Sequence, residues 1–310
     1  MLSKTRLTFV LILIASSSFA QFSRTTWKRQ RKEIYLGIGA SNFLGDLGGK
    51  DKVGTDYSYA DLELSLTHPS LSLGYRYRIT KAWSWKSDLY YLYVSGSDAY
   101  TNEPVRNNRN LSFKSNIYEL STNIEYDFIR ERGGNRYGIR SAKSRYKSAN
   151  FNFFVAGGIG VFYFNPKASY HGVWYDLQPL GTEGQGLPGN PPKYKRISIC
   201  IPITAGLRVA LGKYYTMALE YNFRKTFTDY IDDVHSVYYD NYALGAAHGP
   251  VGAYLADPNL GNIPGATYPD AYGTPAQRGD KQMDSYMSIQ LKLGIILKTK
   301  PKRRNSRAKF

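Results

Sequence analysis

The chain has 310 residues, a formal net charge of +17 and a single cysteine. The lone cysteine excludes a fold held by intramolecular disulfides, and the length allows one large domain or two small ones. Aromatic residues and glycine are abundant (28 Tyr, 14 Phe, 4 Trp and 29 Gly), yet after residue 20 no continuous apolar run is as long as a membrane-spanning helix. This combination is typical of an outer-membrane β-barrel and is also compatible with a secreted β-sandwich.

The first 20 residues have the pattern of a secretory signal peptide. Two basic residues precede a short apolar core over residues 7–14, and small residues at Ser18 and Ala20 suit a cleavage site. The apolar core is too short to span a bilayer. We therefore predict a signal peptide over 1–20 and cleavage before Gln21, which leaves a mature chain of charge +15.

Eight segments of the mature chain alternate between apolar and polar residues with a period of two, as β-strands do. In the last of them, Ile289 and Leu291 fall on one face, whereas Gln290 and Lys292 fall on the other. Most segments reach the length of about ten residues that a tilted barrel strand needs to cross a bilayer, whereas sandwich strands usually have about five or six. We predict strands at residues 33–43, 70–79, 83–94, 111–128, 151–164, 197–211, 215–227 and 285–297.

The connections between these strands alternate in length. Those after the second and sixth strands are tight, whereas residues 44–69, 95–110, 165–196 and 228–284 form long connections. Bacterial barrels combine short periplasmic turns with long outer loops, so an even strand count places both termini in the periplasm. Residues 129–150 break this rule, because they form a long connection where a short periplasmic turn is expected.

These patterns predict an all-β fold, an eight-stranded antiparallel up-and-down transmembrane β-barrel. It spans residues 33–297, between a basic arm at 21–32 and a basic tail at 298–310, and its last strand is expected to close against its first. Because the side chains of an eight-stranded barrel fill its interior, a wide pore is not expected. Pro202 removes one ladder donor, which predicts a bulge or local break in the sixth strand. Cys200 is expected to pack on the lumen face of that strand.

Three segments carry a family resemblance. They read SNFLGDL at 41–47, PSLSLGYRYR at 69–78 and YELSTNIEYDF at 118–128. They resemble the corresponding parts of a family of small outer-membrane barrels, the PorG-like family of the type IX secretion system. The resemblance covers the barrel strands, roughly residues 33–297, and not the long loops. It implies a non-enzymatic outer-membrane barrel that scaffolds a periplasmic ring built by the lipoprotein PorK and its partner PorN.

The excess positive charge lies in the basic arm, the 130–147 connection and the basic tail. Together these segments carry 19 basic residues and one acidic residue, Glu131, so the rest of the mature chain sums to −3. The predicted topology places all three in the periplasm, where they would attract an acidic protein partner. Solvated arms are the alternative, and nucleic acid is not an expected partner. The predicted partner-binding residues are Arg24, Lys28, Arg29, Arg31, Lys32, Arg130, Arg132, Arg136, Arg140, Lys143, Arg145, Lys147, Lys300, Lys302, Arg303, Arg304, Arg307 and Lys309.

Two other classes of function stay open at this point. One is a small porin or a receptor that binds a ligand through the long outer loops, and the other is a lipid-modifying barrel enzyme. An enzyme would need a nucleophile and a base held on rigid strands near the membrane edge. The four histidines, His68, His171, His235 and His248, all fall in predicted outer loops, so no catalytic residue is predicted.

The acidic run at residues 229–233 is a candidate cation site by residue type. Asp229, Asp232 and Asp233 could supply the oxygen ligands that Ca²⁺ prefers, but their spacing does not match an EF-hand loop. A solvated acidic loop is the expectation. No metal and no cofactor are predicted.

Overall fold

The computed structural model describes residues 31–47, 66–101, 103–129, 151–211, 214–263, 275–280 and 282–297. Two helices lie in the connections of this part of the chain, α1 (Pro104–Arg109) and α2 (Asn241–Ala256). A 3-10 turn at Asp98–Tyr100 precedes α1. The strands are β1 (Lys32–Leu44), β2 (His68–Arg78), β3 (Trp83–Ser97), β4 (Ser112–Ile129), β5 (Phe151–Tyr170), β6 (Val173–Asp176), β7 (Ile197–Ala210), β8 (Tyr215–Thr226) and β9 (Ser285–Leu297).

Eight of these strands form a closed antiparallel ring. Each barrel strand pairs with its neighbour in the chain, β4 pairs with β5, and β9 pairs with β1 along its whole length. The predicted eight-stranded barrel and its closure by the last strand are therefore confirmed. The predicted bounds lie within three residues of the observed ones except at β5, which continues six residues further and forms a hairpin with β6 outside the ring.

The ring has two unlike ends. The short connections from β2 to β3 and from β7 to β8 join the ring at the same end as the start of β1 and the finish of β9, and we call this the terminal end. The four long connections leave and re-enter the ring at the opposite end, which we call the loop end. The predicted signal peptide, the long 130–150 connection and nearly all of the basic arm and tail lie outside the described residues.

Side-chain alternation places the apolar face of each strand outside the ring. Leu36 and Leu120 are each 63% exposed, whereas Lys86 and Glu220 are 0% exposed in the interior. A soluble sandwich has the reverse arrangement, with its apolar faces buried against each other. The sandwich alternative is therefore wrong, and the fold is a barrel with a polar interior. No helix in the described part of the chain is long and apolar enough to span a membrane.

Pro202 interrupts one ladder, as predicted. The pairing of β5 with β7 stops between Gly157↔Ile203 and Gly160↔Cys200 and resumes in the same register. Because proline has no N–H to donate, the ladder breaks locally without a bulge. The register shift between β4 and β5 lies elsewhere, at residues 127–129 near the terminal end.

The longest connection contains a helix that the sequence pattern did not predict. The side chain of Asp240 accepts a hydrogen bond from the N–H of Tyr242 (2.9 Å) and caps the start of α2. Gly249, at φ 72°, and the following Pro250 break α2 into two short helical pieces. The second piece buries Leu255 in the apolar cluster at the loop end of the lumen.

Candidate functional site

Ion pairs between inward-pointing side chains cross the middle of the lumen. Glu220 on β8 accepts a hydrogen bond from Lys86 Nζ (2.7 Å) and lies 2.8 Å from Lys292 Nζ. Lys292 Nζ also donates to Asp88 Oδ1 (2.9 Å). All four side chains are buried, and each charge lies beside an opposite one. Buried ions are tolerated only when they are compensated in this way.

A second group of ion pairs continues toward the terminal end. Arg76 contacts Glu33 at 2.8 Å and Glu125 at 3.2 Å, and Arg208 contacts Glu125 at 2.7 Å. Phe154 lies among these cations, with its ring centroid 4.3 Å from the Arg208 guanidinium carbon. With the first group, side chains from all eight barrel strands meet across the axis. The prediction of a lumen filled by side chains is confirmed.

A glycine on one strand leaves space for a large side chain from the neighbouring strand to lie across the lumen. A Cβ on Gly74 would lie 2.3 Å from the ring of Tyr35, so only glycine lets this tyrosine lie across the lumen. The Tyr35 hydroxyl donates to Asp88 Oδ1 (2.8 Å) and joins the central ion pairs.

An aromatic layer seals the lumen toward the loop end. The rings of Phe162 and Tyr286 lie edge to face at 5.6 Å, and the Tyr286 hydroxyl donates to Glu119 Oε2 (3.1 Å). Cys200 is fully buried in this layer, which confirms its predicted packing position on the lumen face.

The 228–284 connection covers this layer. Ile231, Val234 and Leu255 belong to the same buried apolar cluster as Phe162 and Tyr286. Arg278, also fully buried, holds two connections together because its Nη1 donates to the Asp233 backbone oxygen (2.6 Å) and to Glu183 Oε1 (3.1 Å). The long connections therefore form a cap on the lumen, and we use the word cap for residues 177–194 and 228–284 where described.

The acidic run lies inside this cap, so the expectation of a solvated loop is wrong. Asp229, Asp232 and Asp233 are at most 5% exposed. The carboxylate of Asp233 accepts hydrogen bonds from the hydroxyls of Thr182 and Tyr194, and burial raises its pKa to about 6. The apolar residues between these aspartates pack into the cluster described above and draw the acidic groups in with them.

Five aspartates from two connections lie close together at the cap, three of them buried, Asp46 half-buried and Asp280 exposed, and we call them the acidic cluster. Burial and the charge of Asp280 raise the pKa of Asp46 to about 7, and burial and the charges of its neighbours raise that of Asp229 to about 8. The pKa values of Asp232 and Asp284 are also raised, first by burial and then by the other carboxylates. The members are Asp46, Asp229, Asp232, Asp280 and Asp284.

The segment at 41–47 forms one wall of the acidic cluster. The N–H of Leu47 donates to Asp232 Oδ2 (3.2 Å), and the Asp46 carboxylate accepts from the N–H of Asp280 (3.0 Å). A Cβ on Gly45 would lie 2.3 Å from Asp284 Oδ1, so glycine is required at this contact. Within the described ranges, no three His, Cys, Asp or Glu side chains are arranged to hold a metal ion.

One histidine departs from the sequence prediction. His68 is the first residue of β2, and its Nε2 lies 2.6 Å from Ser95 Oγ on β3. The prediction that every histidine lies in a loop is therefore wrong for His68, whereas His171, His235 and His248 do lie in the connections. No carboxylate of the described residues hydrogen-bonds His68, so the pair lacks the third group that orients a catalytic base.

The outward face of β3, β4 and β5 carries two aromatic rows. Tyr91, Tyr118 and Tyr163 pair across the three strands toward the loop end, and Trp83 pairs with Tyr126 toward the terminal end. The eight steps from Tyr118 to Tyr126 span about 27 Å along β4, which is about 20 Å in height after a strand tilt of 35–45°. The two rows are therefore separated by roughly the height of the apolar band, about 25 Å, that aromatic girdles flank in membrane barrels.

The structure describes two of the predicted partner-binding residues. Arg31 Nη1 donates to the Tyr77 hydroxyl (3.3 Å), and Lys32 begins β1 opposite Leu297, the last residue of β9. Both lie at the terminal end. The other predicted residues, in 24–29, 130–147 and 300–309, lie outside the described residues and their role stays a prediction.

The closed ring, the apolar outer surface and the filled interior define the class, a plugged eight-stranded β-barrel. Residues 6–170 match the family described as domain of unknown function DUF6089, and the chain belongs to this family. No curated protein matches the chain by sequence.

Solved structures with a similar architecture are outer-membrane barrels. Neisserial surface protein A has a TM-score of 0.37 and 6% identity, covering 86% of this chain and 97% of that one. OprG from Pseudomonas aeruginosa has a TM-score of 0.36 and 9% identity, covering 87% and 98%. Ail of Yersinia pestis has a TM-score of 0.35 and 9% identity, covering 86% and 99%. These likenesses concern the fold alone.

Proposed function

We propose that this chain is a non-enzymatic barrel of the bacterial outer membrane that anchors a periplasmic assembly. The observation that carries the proposal is a sealed lumen inside an apolar outer surface. Ion pairs from Glu33 to Lys292 join seven barrel strands across the axis, the Phe154 ring of β5 lies among their cations, and the cap covers the loop end. A barrel built in this way resides in a membrane without offering a route through it.

The outer surface supports the membrane location. Large apolar side chains such as Ile38, Leu120, Ile159 and Leu293 are between 57% and 63% exposed around the ring. Soluble monomers rarely expose contiguous apolar surface on this scale. The aromatic rows at both edges of the apolar band match the two membrane–water interfaces.

The basic segments support an anchoring role at the terminal end. Arg31 and Lys32 lie there, and the arm, the 130–147 connection and the tail join the barrel at the same end. In the orientation expected of bacterial barrels this end faces the periplasm. We propose that the 18 predicted residues bind an acidic surface of a periplasmic protein ring by charge attraction.

The type IX secretion machinery is our proposed assembly, with PorK-like and PorN-like proteins as the partners. The support is the resemblance carried by the segments at 41–47, 69–78 and 118–128. The ion pairs that cross the lumen disfavour the porin alternative, because ion flow would require them to separate.

Co-purification from outer membranes tests the anchoring proposal. The wild-type chain is compared with a chain that ends at Leu297 and with one in which the Lys and Arg residues of 130–147 are Gln. We expect the ring proteins to be reduced in each variant and lost when both changes are combined. The matched control, Lys193→Gln with Lys195→Gln, removes two exposed charges at the opposite, loop end of the barrel and should retain them. Unchanged recovery from the combined variant would contradict the proposal.

A further inference from the structure

The outward face of β3, β4 and β5 becomes increasingly polar beyond the tyrosine row at the loop end. Two residues further along the strands toward the loop end, Tyr93 pairs with Asn116, and Asn116 pairs with Asn165. After two more residues, Ser95 lies opposite Lys114, and Lys114 lies opposite Lys167. The surface thus passes from apolar to aromatic, then to amide, then to basic.

The outermost of these levels, together with the residues that contact it, carries more positive than negative charge. Lys167 Nζ lies 2.9 Å from Asp176 Oδ1 on β6, and Arg196 Nη1 lies 3.7 Å from Asp176 Oδ2 and donates to Asn165 Oδ1 (2.8 Å). Lys114 makes no ion pair with any described acid, and its Nζ lies 3.2 Å from the centroid of the Trp174 ring. Three cations therefore share one carboxylate. We call Lys114, Lys167, Arg196 and Trp174 the basic rim.

The direct pairing of two lysines across β4 and β5 favours the binding of an anion. Like charges opposite each other on adjacent strands destabilise a sheet. Lys114 and Lys167 are such a pair, and Asp176 contacts only the second. An anion held between the two ammonium groups would convert this repulsion into attraction.

The height of the basic rim identifies where that anion comes from. Lys114 lies four residues beyond Tyr118, about 13 Å along the strand and about 10 Å in height after a tilt of 35–45°. The tyrosine row marks the edge of the hydrocarbon, so the rim lies at the level of lipid headgroups. Trp174 has the amphipathic ring that is enriched at this depth, and basic residues there attract anionic lipids.

We propose that the basic rim binds the phosphate groups of an outer-leaflet glycolipid of the lipid A class. Lys114 and Lys167 act as point charges on one phosphate, and Arg196, held by Asp176 and Asn165, presents its planar group at the edge of the site. This inference rests on the proposed membrane location. It is independent of the proposed periplasmic partner, which would bind at the opposite end of the barrel.

Lipid retention by the purified full-length chain tests the proposal. The delipidated protein in detergent is incubated with bisphosphorylated lipid A or with the same lipid after removal of both phosphates, and bound lipid is counted by native mass spectrometry. For Lys114→Gln with Lys167→Gln we expect retention of the phosphorylated lipid to fall about ten-fold or more. Lys114→Arg with Lys167→Arg should retain it, as should the control Lys81→Gln with Lys193→Gln.

Three results would overturn the proposal. They are equal retention by the double Gln variant, equal retention of the lipid without phosphates, and displacement of the lipid by an equimolar amount of inorganic phosphate, which would make the free anion the ligand. If the double variant does not fold, Lys114→Gln alone carries the test. Its Nζ makes no hydrogen bond among the described residues, and we expect about a five-fold loss.

A parallel measurement separates this inference from the proposed membrane location. Insertion of the wild-type chain into phosphatidylcholine vesicles is followed by protease protection and by heat-dependent electrophoretic mobility. Failure to insert would overturn the membrane location and this inference with it. Insertion without phosphate-dependent retention of lipid A would overturn this inference alone.

Discussion

Two regions of the protein bury acidic groups, the lumen with basic partners in contact and the cap without them. In the lumen, Glu220 lies within 2.9 Å of both Lys86 and Lys292. In the cap, the acidic cluster has no Lys or Arg within ion-pair distance among the described residues, and Asp229 contacts only His235 (2.5 Å). In the lumen, a cation therefore compensates each of these carboxylates, whereas in the cap burial and neighbouring carboxylates raise the pKa of the acidic groups.

The difference has a structural cause. The lumen charges are carried by barrel strands and meet across the axis, so the closed sheet fixes the positions of the paired side chains. The cap is assembled from separate connections, and its aspartates are drawn inside because their apolar neighbours pack on the lumen mouth. Stability of the lumen should depend on its ion pairs, and stability of the cap should depend on pH.

The largest expected effect follows from breaking the lumen network with Glu220→Gln. The substitution conserves shape but leaves Lys86 and Lys292 with Asp88 as the remaining acid in contact. Removing one partner of a buried ion pair destabilises by about 3–5 kcal/mol. The free energy of unfolding, from urea denaturation in lipid vesicles, should fall by that amount.

The control for this variant is Asp240→Asn. It also removes one acid, but Asn caps a helix about as well as Asp, so the change should be within about 0.5 kcal/mol. An effect of Glu220→Gln no larger than the control would mean that the lumen pairs do not stabilise the barrel.

Asp229→Asn in the acidic cluster should have a smaller effect than Glu220→Gln and should stabilise the cap at high pH rather than destabilise the barrel. A carboxyl group whose pKa is higher in the folded state contributes stability that is complete below its unfolded pKa of about 3.9. That contribution is lost as the pH rises through the folded values, about 7 for Asp46 and about 8 for Asp229. The wild-type cap should therefore loosen between pH 5 and pH 8, and the variant should loosen less.

Hydrogen-exchange protection of residues 228–236 measures this difference. We expect equal protection of variant and wild type at pH 5 and higher protection of the variant at pH 8. Barrel strands serve as the internal reference, because their protection should not change between the two proteins. Lower protection of the variant at pH 8 would contradict the proposed repulsion within the cluster.

The smallest expected effect is that of Ser95→Ala. The Ser95–His68 contact lacks an orienting carboxylate in the described residues, so we expect no catalytic role. Lipid A isolated from cells that produce the variant should carry the same acyl chains as lipid A from wild-type cells. A difference in acylation would show that the contact is an active site, and the non-enzymatic proposal would fail.

The barrel could be predicted from the sequence because the residues that indicate each strand are adjacent in the chain. Alternation such as Ile289–Gln290–Leu291–Lys292 marks each strand, and the connection lengths order the strands around the ring. The extension of β5 to Tyr170 was missed because its partner, β6, is a four-residue strand within a predicted loop.

The cap could not be predicted in the same way, because its residues are buried by contacts distant in the chain. Asp232 accepts a hydrogen bond from the N–H of Leu47, 185 residues away, and no local pattern indicates that contact. The kinked helix α2 contains Gly249 and Pro250, which usually mark loops. His68 was assigned to a loop because the second strand was predicted to begin at residue 70, whereas β2 begins two residues earlier and tolerates Pro69 near its end.

Single-channel recording in planar bilayers tests the central claim, a membrane barrel whose lumen is sealed. The claim predicts that the wild-type chain, inserted and folded, gives no stable conductance at neutral pH, because the ion pairs and the aromatic layer block the axis. Removal of the layer with Phe162→Ala and Tyr286→Ala should leave the ion pairs as the remaining barrier. A stable and substantial current through the wild-type chain would contradict the claim.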